Sequence, residues 1–158
     1  VLLRKMQRVM APQMQQRNLR FVVQDNSRGV SLNVDRAALS NAVVNLLDNA
    51  VQVSPVGSFV TLTCETTEDE VRLTVSDEGP GIDPTLHERV FEPFFTTRTE
   101  GTGLGLAIVH NLIQSMRGEI RIDSVPGAGT RFTISLPRTA KEFENVPDLR
   151  SKAETAEK

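Results

Sequence analysis

Apolar residues recur with helical spacing in three segments of the chain. These segments are residues 1–17, 35–53 and 103–116, and each places an apolar stripe along one side. Pro12 is expected to kink the first helix or to start a new turn there, because proline has no amide hydrogen to donate. Asp35 is a residue type that caps helix N-termini, so it predicts where the second helix begins.

Alternating apolar and polar residues predict strands between and after these helices. Residues 18–24 and 30–33 are predicted as two short strands. Two longer hairpins follow, one turning near residues 67–69 and the other across 126–129. The lone Cys64 lies in the first of these hairpins, which predicts a buried, reduced thiol.

The predicted elements add up to a two-layer α+β domain in which helices cover one face of a mixed sheet. With 158 residues, the chain has room for one such domain and a short attachment at each end. Residues 139–158 are rich in charged residues and lack a sustained apolar stripe, which predicts a flexible tail. Because it starts on Val1, the chain is expected to be a piece of a longer protein.

Composition argues against two classes of partner. The net charge of −2 gives no general attraction to nucleic acid, and seven Phe without Trp or Tyr leave few side chains to stack on bases. No apolar run reaches the roughly 18–20 residues of a membrane span, so no direct membrane contact is expected from this segment. A cytoplasmic location is expected, whether the parent protein is soluble or membrane-anchored.

Four short segments follow one another in a fixed order. They are Asn-Leu-Leu-Asp-Asn-Ala at 45–50, Asp-Glu-Gly-Pro-Gly-Ile at 77–82, Phe-Glu-Pro-Phe-Phe at 91–95 and Gly-Thr-Gly-Leu-Gly-Leu at 101–106. Each alone is a weak signal, since glycine pairs often only mark turns. Their ordered combination resembles the N, G1, F and G2 boxes of the sensor histidine kinase catalytic domain, in the GHKL ATPase superfamily with DNA gyrase and the large heat-shock chaperone. The resemblance spans about residues 17–137 and implies a Bergerat-type ATP-binding fold, a two-layer α/β sandwich.

Asn45 and Asn49 lie four residues apart, so they share one face of the second predicted helix. Two carboxamide oxygens one turn apart can bind Mg²⁺, which prefers oxygen ligands and stays partly hydrated beside nucleotide phosphates. The resemblance implies that both are metal ligands and catalytic residues, and that Asn49 and Gln52 contact the nucleotide. The family often has Lys or Arg where this chain has Gln52, so a strong phosphate contact there is in doubt. The alternative is that all three are polar residues on a solvated face.

Asp77 ends a predicted strand just before a glycine-rich turn. An ionised carboxylate only accepts hydrogen bonds, which suits the exocyclic amino group of adenine. The resemblance implies that Asp77 makes this contact, with Gly79, Gly81 and Ile82 beside the base, where a β-carbon on either glycine would intrude. Thr130 matches a family threonine whose hydroxyl joins the network around the aspartate, and a plain strand threonine is the alternative.

Residues 96–102 are expected to form a short lid ahead of the third helix. Amides at a helix N-terminus favour anions, and glycines let the chain wrap around a triphosphate and hinge. Arg98 can pair with the γ-phosphate and is the third catalytic candidate, with an exposed arginine of no particular role as the alternative. Phe91, Phe94 and Phe95 are expected to pack the base of the lid against the core, and in the family this patch also meets the phosphoacceptor helices. The other nucleotide-binding candidates of this region are Phe91, Thr97, Gly101, Thr102, Gly103, Leu104, Gly105 and Leu106.

Two absences narrow the function. Gyrase-like and chaperone-like ATPases have a glutamate at the position of Asn45, where it acts as the general base. An asparagine cannot take a proton, so Asn45 argues against fast hydrolysis of ATP. The phosphoaccepting histidine of a sensor kinase is missing too, because His87 and His110 lie outside the expected motif and are interpreted as structural or surface residues. The acceptor helices are therefore expected upstream of Val1, with residues 1–17 as their last turns and connection.

The leading interpretation is the ATP-binding catalytic domain, residues 18–138, of a sensor histidine kinase. It implies ATP and Mg²⁺ as cofactors, ADP as product, an upstream phosphoacceptor domain that makes the full protein a homodimer, and a response regulator as partner. Residues 94–98 with Gln52 resemble the nitrogen-regulator type of sensor kinase. The alternatives are an ATPase module that drives a change of shape and a nucleotide-binding regulator without catalysis. The fragment itself is expected to be a monomer, because dimerisation in the family lies mostly in the acceptor helices.

Overall fold

The computed structural model describes residues 2–29, 32, 34–95 and 104–138 of the 158-residue chain. The helices among them are α1 (Leu2–Gln16), α2 (Arg36–Val53) and α3 (Gly105–Ser115). The strands are β1 (Arg20–Asn26), β2 (Phe59–Thr66), β3 (Glu70–Asp77), β4 (Glu119–Ser124) and β5 (Thr130–Pro137). Two 3₁₀ turns, Pro84–Leu86 and Arg89–Phe91, lie between β3 and α3.

The strands form one mixed sheet in the order β1-β2-β3-β5-β4. β1 runs parallel to β2, and the other neighbouring pairs are antiparallel. Along β3 and β5 every second side chain is buried, so the sheet has one core face and one more exposed face. The core face packs against α2 and α3, which confirms the two-layer α+β fold with helices on one side.

α2 begins where its cap residue predicts. The Asp35 carboxylate accepts a hydrogen bond of 3.1 Å from the amide of Ala38, which satisfies one of the free donors in the first turn. Leu46 and Leu47 of α2 are fully buried, and the polar residues Asn45 and Asn49 of the same helix are half-buried. The helix thus fixes the core with one face and presents carboxamides with another.

α1 packs against α2 and β1 through Leu3, Met6, Met10 and Met14, which are at most 8% exposed. Burying a side chain of this size stabilises a fold by about 1.5–3 kcal/mol. The helix continues through Pro12, so no separate turn starts there, and the alternative of a kink at Pro12 stays a prediction. Pro12 is exposed, and the carbonyl that it leaves without a helical donor can bond to water instead. α1 shares one core with the rest of the domain, and its assignment to an upstream domain stays a prediction.

Some of the other predicted elements lie within the described residues and some lie outside them. β1 and both hairpins confirm the predictions for those segments. The strand expected at 30–33 lies outside the described residues except for Leu32, which is not in a strand, and the tail at 139–158 lies outside them entirely. Cys64 is buried as predicted, and burial raises the pKa of its thiol to about 11. In the described ranges, no helix is both long and apolar enough to cross a bilayer.

Candidate functional site

Asn45 is held by hydrogen bonds within α2. Its Nδ2 donates to the backbone oxygen and to the side-chain oxygen of Asn41, both at 2.9 Å. A backbone carbonyl can only accept, so the nitrogen of Asn45 must face Asn41 and its Oδ1 must face away. A β-carbon added to Gly105 would lie 3.6 Å from that Oδ1. The Oδ1 of Asn45 therefore faces the start of α3, and it accepts no hydrogen bond from the described residues.

The first turn of α3 begins at Gly105, after Leu104 at the cap position. Among the residues that the structure describes, no side chain caps this turn, whereas Asp35 caps α2. Amides in such a first turn attract anions, and phosphate above all. Gly105 and Leu106 form this first turn as predicted. Gln52 is exposed in the last turn of α2 and brings no charge to the site.

The structure describes only part of the residues predicted around the lid. Its candidate residues at 97, 98, 101, 102 and 103 lie outside the described residues. Their roles stay predictions. The residues concerned are Thr97, Arg98, Gly101, Thr102 and Gly103.

Asp77 lies at the end of β3 and is only 7% exposed. Its Oδ1 accepts hydrogen bonds from the amides of Gly79, at 2.9 Å, and Thr130, at 3.3 Å. Burial raises the pKa of Asp77 above 3.8, because desolvation of the carboxylate outweighs these two hydrogen bonds. Its Oδ2 makes no hydrogen bond with the described part of the chain, so one carboxylate oxygen is available to a ligand.

Two glycines let the loop after β3 lie directly against the turn between β4 and β5. Gly81 has a φ of 76°, and a β-carbon there would lie 2.2 Å from the carbonyl oxygen of Val125. Gly129 has a φ of 92°, and its β-carbon would lie 2.1 Å from the carbonyl oxygen of Asp77. The protein's own backbone thus requires a glycine at position 81, independently of any contact with a nucleobase.

The hydroxyl of Thr130 does not reach Asp77 directly. The amide of Thr130 binds the carboxylate, whereas its Oγ1 lies 2.9 Å from Oγ of Ser124. Ser124 also accepts a hydrogen bond of 2.7 Å from the amide of Ile82, in the loop after β3. The three buried groups therefore join β3, β4 and β5 at one end of the sheet.

Sequence reasoning missed Ser124 and Asn41. Ser124 occupies an inward position of β4, after Ile120 and Ile122, where an apolar residue is the ordinary choice. A polar residue at a core position next to a turn is the signal that marks it. Asn41 lies one helical turn before Asn45, and that spacing is its only signal in the sequence.

The phenylalanine-rich segment follows the predicted packing only in part. Phe91 is half-buried and lies against the core, with its ring edge-on to Phe132 at 6.2 Å. Phe94 is 75% exposed, so the expectation that it packs against the core is wrong. Its φ of 67° is in the left-handed region, which is unusual for a residue other than glycine. Phe95 is half-buried, with the guanidinium of Arg89 over its ring at 4.8 Å.

Both histidines make structural contacts. His87 Nε2 lies 3.0 Å from the carbonyl oxygen of Ile82 and closes the loop that follows β3. The His110 ring stacks on Phe91 with 5.5 Å between ring centroids, and so joins α3 to the phenylalanine-rich segment. These contacts agree with the interpretation of both as structural residues.

A cleft of about 250 Å³ lies behind the end of β3. Its lining includes Asp77 but no residue of α2 or α3. Ser76, Asp123 and Arg131 also line it, and their register places them on the more exposed face of the sheet. The cleft therefore borders the base end of the site at Asp77, Ser124 and Thr130, and its lining does not extend to the helices that carry Asn45 and Gly105.

Asn45 and Asn49 are suited to Mg²⁺ by the chemistry of their side-chain oxygens. The Oδ1 of Asn45 is turned away from its helix, and Asn49 lies one turn further on the same face. Among the residues that the structure describes, no group of three or more His, Cys, Asp or Glu side chains forms an alternative metal site. An ion held by carboxamides, phosphates and water fits this donor set.

Comparison with known proteins agrees with the geometry. Residues 34–140 match the family described as histidine kinase-, DNA gyrase B- and HSP90-like ATPase. The signal transduction histidine-protein kinase AtoS of Escherichia coli K12 is 41% identical over 107 residues, which is 67% of this chain and 18% of AtoS. The chain thus spans less than a fifth of the length of this relative.

Solved structures of histidine kinases share the fold. The nucleotide-free catalytic domain of histidine kinase ThkA superposes with a TM-score of 0.79 at 29% identity, covering 87% of this chain and 90% of that domain. ThkA in complex with the response regulator protein TrrA gives a TM-score of 0.76 at 26% identity, covering 89% of this chain and 40% of ThkA. The chain belongs to the histidine kinase-, DNA gyrase B- and HSP90-like ATPase family, as the catalytic domain of a histidine kinase.

Proposed function

We propose that this domain binds Mg²⁺-ATP and donates the γ-phosphoryl group to a histidine on an upstream helical domain. The observation that carries the proposal is Asn45, whose free oxygen faces the start of α3 at the position where hydrolysing relatives have a glutamate. A carboxamide offers a metal ligand but cannot take a proton from water. ATP bound there is kept for another acceptor.

The base end supports adenine as the nucleobase. Asp77 uses one oxygen within the protein and keeps the other for a ligand. That oxygen accepts a hydrogen bond from the exocyclic amino group of adenine, and guanine has no donor at the same position. Gly79 and Ile82 flank the carboxylate in the loop that follows β3.

The phosphate end supports a triphosphate with its metal. Asn45 and Asn49 would hold Mg²⁺, which offsets phosphate charge when bound. The first turn of α3, with Gly105 and Leu106, offers amides to the same phosphates. Arg98 is the cation that we assign to the γ-phosphate, since Gln52 carries no charge.

The transfer itself needs little covalent chemistry from this domain. A nitrogen of the acceptor imidazole forms a bond to the γ-phosphorus, the bond from that phosphorus to the bridging oxygen breaks, and ADP leaves. The residues of this domain orient the phosphates in line with the incoming nitrogen and stabilise the charge on them.

The partners follow from this reaction. We propose that residues 1–17 connect to the acceptor helices of a homodimeric, cytoplasmic kinase module and that a response regulator takes the phosphoryl group to an aspartate. The ThkA complex with TrrA is a precedent for such a pair in a similar protein. The nitrogen-regulator type is the subclass that residues 94–98 favour.

The test combines transfer and hydrolysis. The chain is incubated with γ-labelled ATP, Mg²⁺ and the acceptor helices of its parent protein. We expect acid-labile, base-stable label on a histidine of those helices and negligible steady hydrolysis by the chain alone. Sustained hydrolysis without transfer would favour an ATPase module that drives a change of shape, and nucleotide binding with neither reaction would favour a non-catalytic regulator.

A further inference from the structure

Ser124 lies at a junction of three buried hydrogen bonds. Its Oγ is 2.7 Å from the amide nitrogen of Ile82, 3.0 Å from the carbonyl oxygen of Gly129 and 2.9 Å from Oγ1 of Thr130. Ser124 is 9% exposed and Thr130 is 6% exposed, so water has little access to compete for these bonds. The polarity of each bond can therefore be derived from what each atom is able to donate.

One hydroxyl hydrogen has to serve this junction. The amide of Ile82 can only donate, so Oγ of Ser124 accepts from it. The carbonyl of Gly129 can only accept, so the hydrogen of Ser124 goes there. The bond between the two hydroxyls must then be donated by Thr130. The opposite assignment would leave the carbonyl of Gly129 facing a lone pair, at the cost of an unsatisfied buried acceptor.

This assignment fixes what Thr130 offers a ligand. Its only hydrogen is used toward Ser124, so its oxygen has lone pairs left and nothing to donate. Asp77 stands directly opposite Thr130 in the β3–β5 register, and its free oxygen is an acceptor as well. Two acceptors thus lie on neighbouring residues at the base end of the site.

We propose that Ser124 is a positioning residue that sets nucleobase specificity by taking the hydrogen of the Thr130 hydroxyl. The resulting pair of acceptors on Asp77 and Thr130 favours a purine with an amino group at its six-position and disfavours one with a carbonyl there. The proposal rests on the proposed binding of ATP at Asp77. It adds a residue that does not face the nucleotide and acts through Thr130.

The test uses Ser124→Ala and measures binding of ATP and inosine triphosphate by calorimetry. Without the serine, the Thr130 hydroxyl is free to rotate and donate to the carbonyl of hypoxanthine. We expect ATP to bind more weakly and inosine triphosphate more tightly, so that the preference for ATP falls about tenfold. Ser135→Ala is the matched control, because Ser135 lies in β5 on the opposite face of the sheet. This variant is expected to keep the wild-type preference for ATP over inosine triphosphate.

A second variant separates positioning from loss of structure. In the double variant Ser124→Ala/Thr130→Val the freed hydroxyl is gone, so the gain for inosine triphosphate is expected to disappear. If the role of Ser124 were purely structural, Ser124→Ala would weaken the binding of both nucleotides, and there would be no gain for inosine triphosphate to lose. Thermal unfolding followed by circular dichroism checks that each variant is folded.

If Ser124→Ala does not fold, Thr130→Val in the otherwise wild-type chain decides. This variant is expected to bind ATP several-fold more weakly and to bind inosine triphosphate with nearly unchanged affinity. Equal changes in the two affinities would overturn the inference. An unchanged preference in a folded Ser124→Ala variant that binds ATP would overturn it while leaving the nucleotide site in place. If the wild-type chain binds neither nucleotide, the proposed site itself is wrong and the inference falls with it.

Discussion

The base end and the phosphate end of the site are held together in different ways. At the base end, Asp77, Ser124 and Thr130 are at most 9% exposed, and two of their hydrogen bonds join residues 42 and 53 positions apart in the chain. At the phosphate end, Asn45 and Asn49 are half-buried, and Nδ2 of Asn45 donates its hydrogen bonds one turn back along α2, to Asn41. The protein completes the first set of bonds itself. The second set leaves oxygens and amides for phosphate, metal and water.

This difference separates two kinds of effect. Changes at the base end alter packing and buried hydrogen bonds, so they act on stability as well as on nucleotide affinity. Changes at the phosphate end remove groups that are already near solvent, so they act on the ligand and its metal with little effect on the fold. The following variants are chosen to test that separation, from the largest expected effect to the smallest.

Asp77→Ala is expected to have the largest effect on binding. Loss of a hydrogen bond to a charged group is worth about 1.5–3 kcal/mol, which lowers ATP affinity about 10- to 150-fold. Calorimetric titration with ATP measures it, and circular dichroism checks that the fold is intact. Asp123→Ala on the exposed side of β4 is the control, and ATP affinity unchanged by Asp77→Ala would refute the adenine contact.

Gly81→Ala is expected to have the largest effect on stability. The added β-carbon would meet the carbonyl oxygen of Val125 at 2.2 Å, in addition to the strain of a positive φ. We expect the free energy of unfolding in urea to fall by about 3 kcal/mol or more.

Gly127→Ala is its matched control. Gly127 has a similar φ of 83°, but no atom lies within 4 Å of its added β-carbon. Gly127→Ala is therefore expected to lower the free energy of unfolding only by the backbone strain, about 1–2 kcal/mol. Equal losses in the two variants would contradict the close contact between the loop after β3 and the β4–β5 turn.

Asn49→Ala is expected to affect the metal more than the nucleotide. We expect Mg²⁺-ATP to bind about tenfold more weakly, metal-free ATP to bind nearly as before, and the unfolding free energy to stay within experimental error. Calorimetry with and without Mg²⁺ measures the first two quantities. Asn111→Ala, at an exposed site of α3, is the control, and equal weakening with and without Mg²⁺ would argue against a metal role.

The pH dependence of binding is the mildest test. Burial raises the pKa of Asp77 above 3.8, so its carboxylate takes up a proton earlier than an ordinary aspartate as pH falls. ATP affinity is expected to weaken from a correspondingly higher pH, and calorimetry across a pH series measures it. In the free protein the raised pKa means that Asp77 favours folding only when protonated, and this contribution is lost as pH rises through the folded-state pKa.

The corresponding variant is Asp77→Asn. It keeps an oxygen for the amides of Gly79 and Thr130 and removes the buried charge. We expect it to be no less stable than the wild type at neutral pH in urea unfolding, although it binds ATP more weakly. A marked loss of stability would show that the charge itself holds the loop.

The sequence predicted the parts of the molecule that depend on local pattern. Periodicity located α2, α3 and both hairpins, and the cap at Asp35 marked a helix start. Asp77 was found because a carboxylate before a glycine turn has a recognisable chemistry. Ser124 was missed although its inward position in β4 is a local signal, because its bond to the amide of Ile82 comes from a loop 42 residues away, which no local pattern reveals. The outward position of Phe94 depends on a backbone φ of 67°, which its residue type disfavours.

We propose above all that this domain binds ATP through Asp77 and the asparagines of α2. Calorimetric titration of the wild-type chain tests this most directly, with ATP and with GTP, each in the presence and absence of Mg²⁺. We predict saturable binding of ATP, tighter binding when Mg²⁺ is present, and no binding of GTP. Equal binding of ATP and GTP would contradict the adenine contact, and no binding of either would contradict the site as a whole.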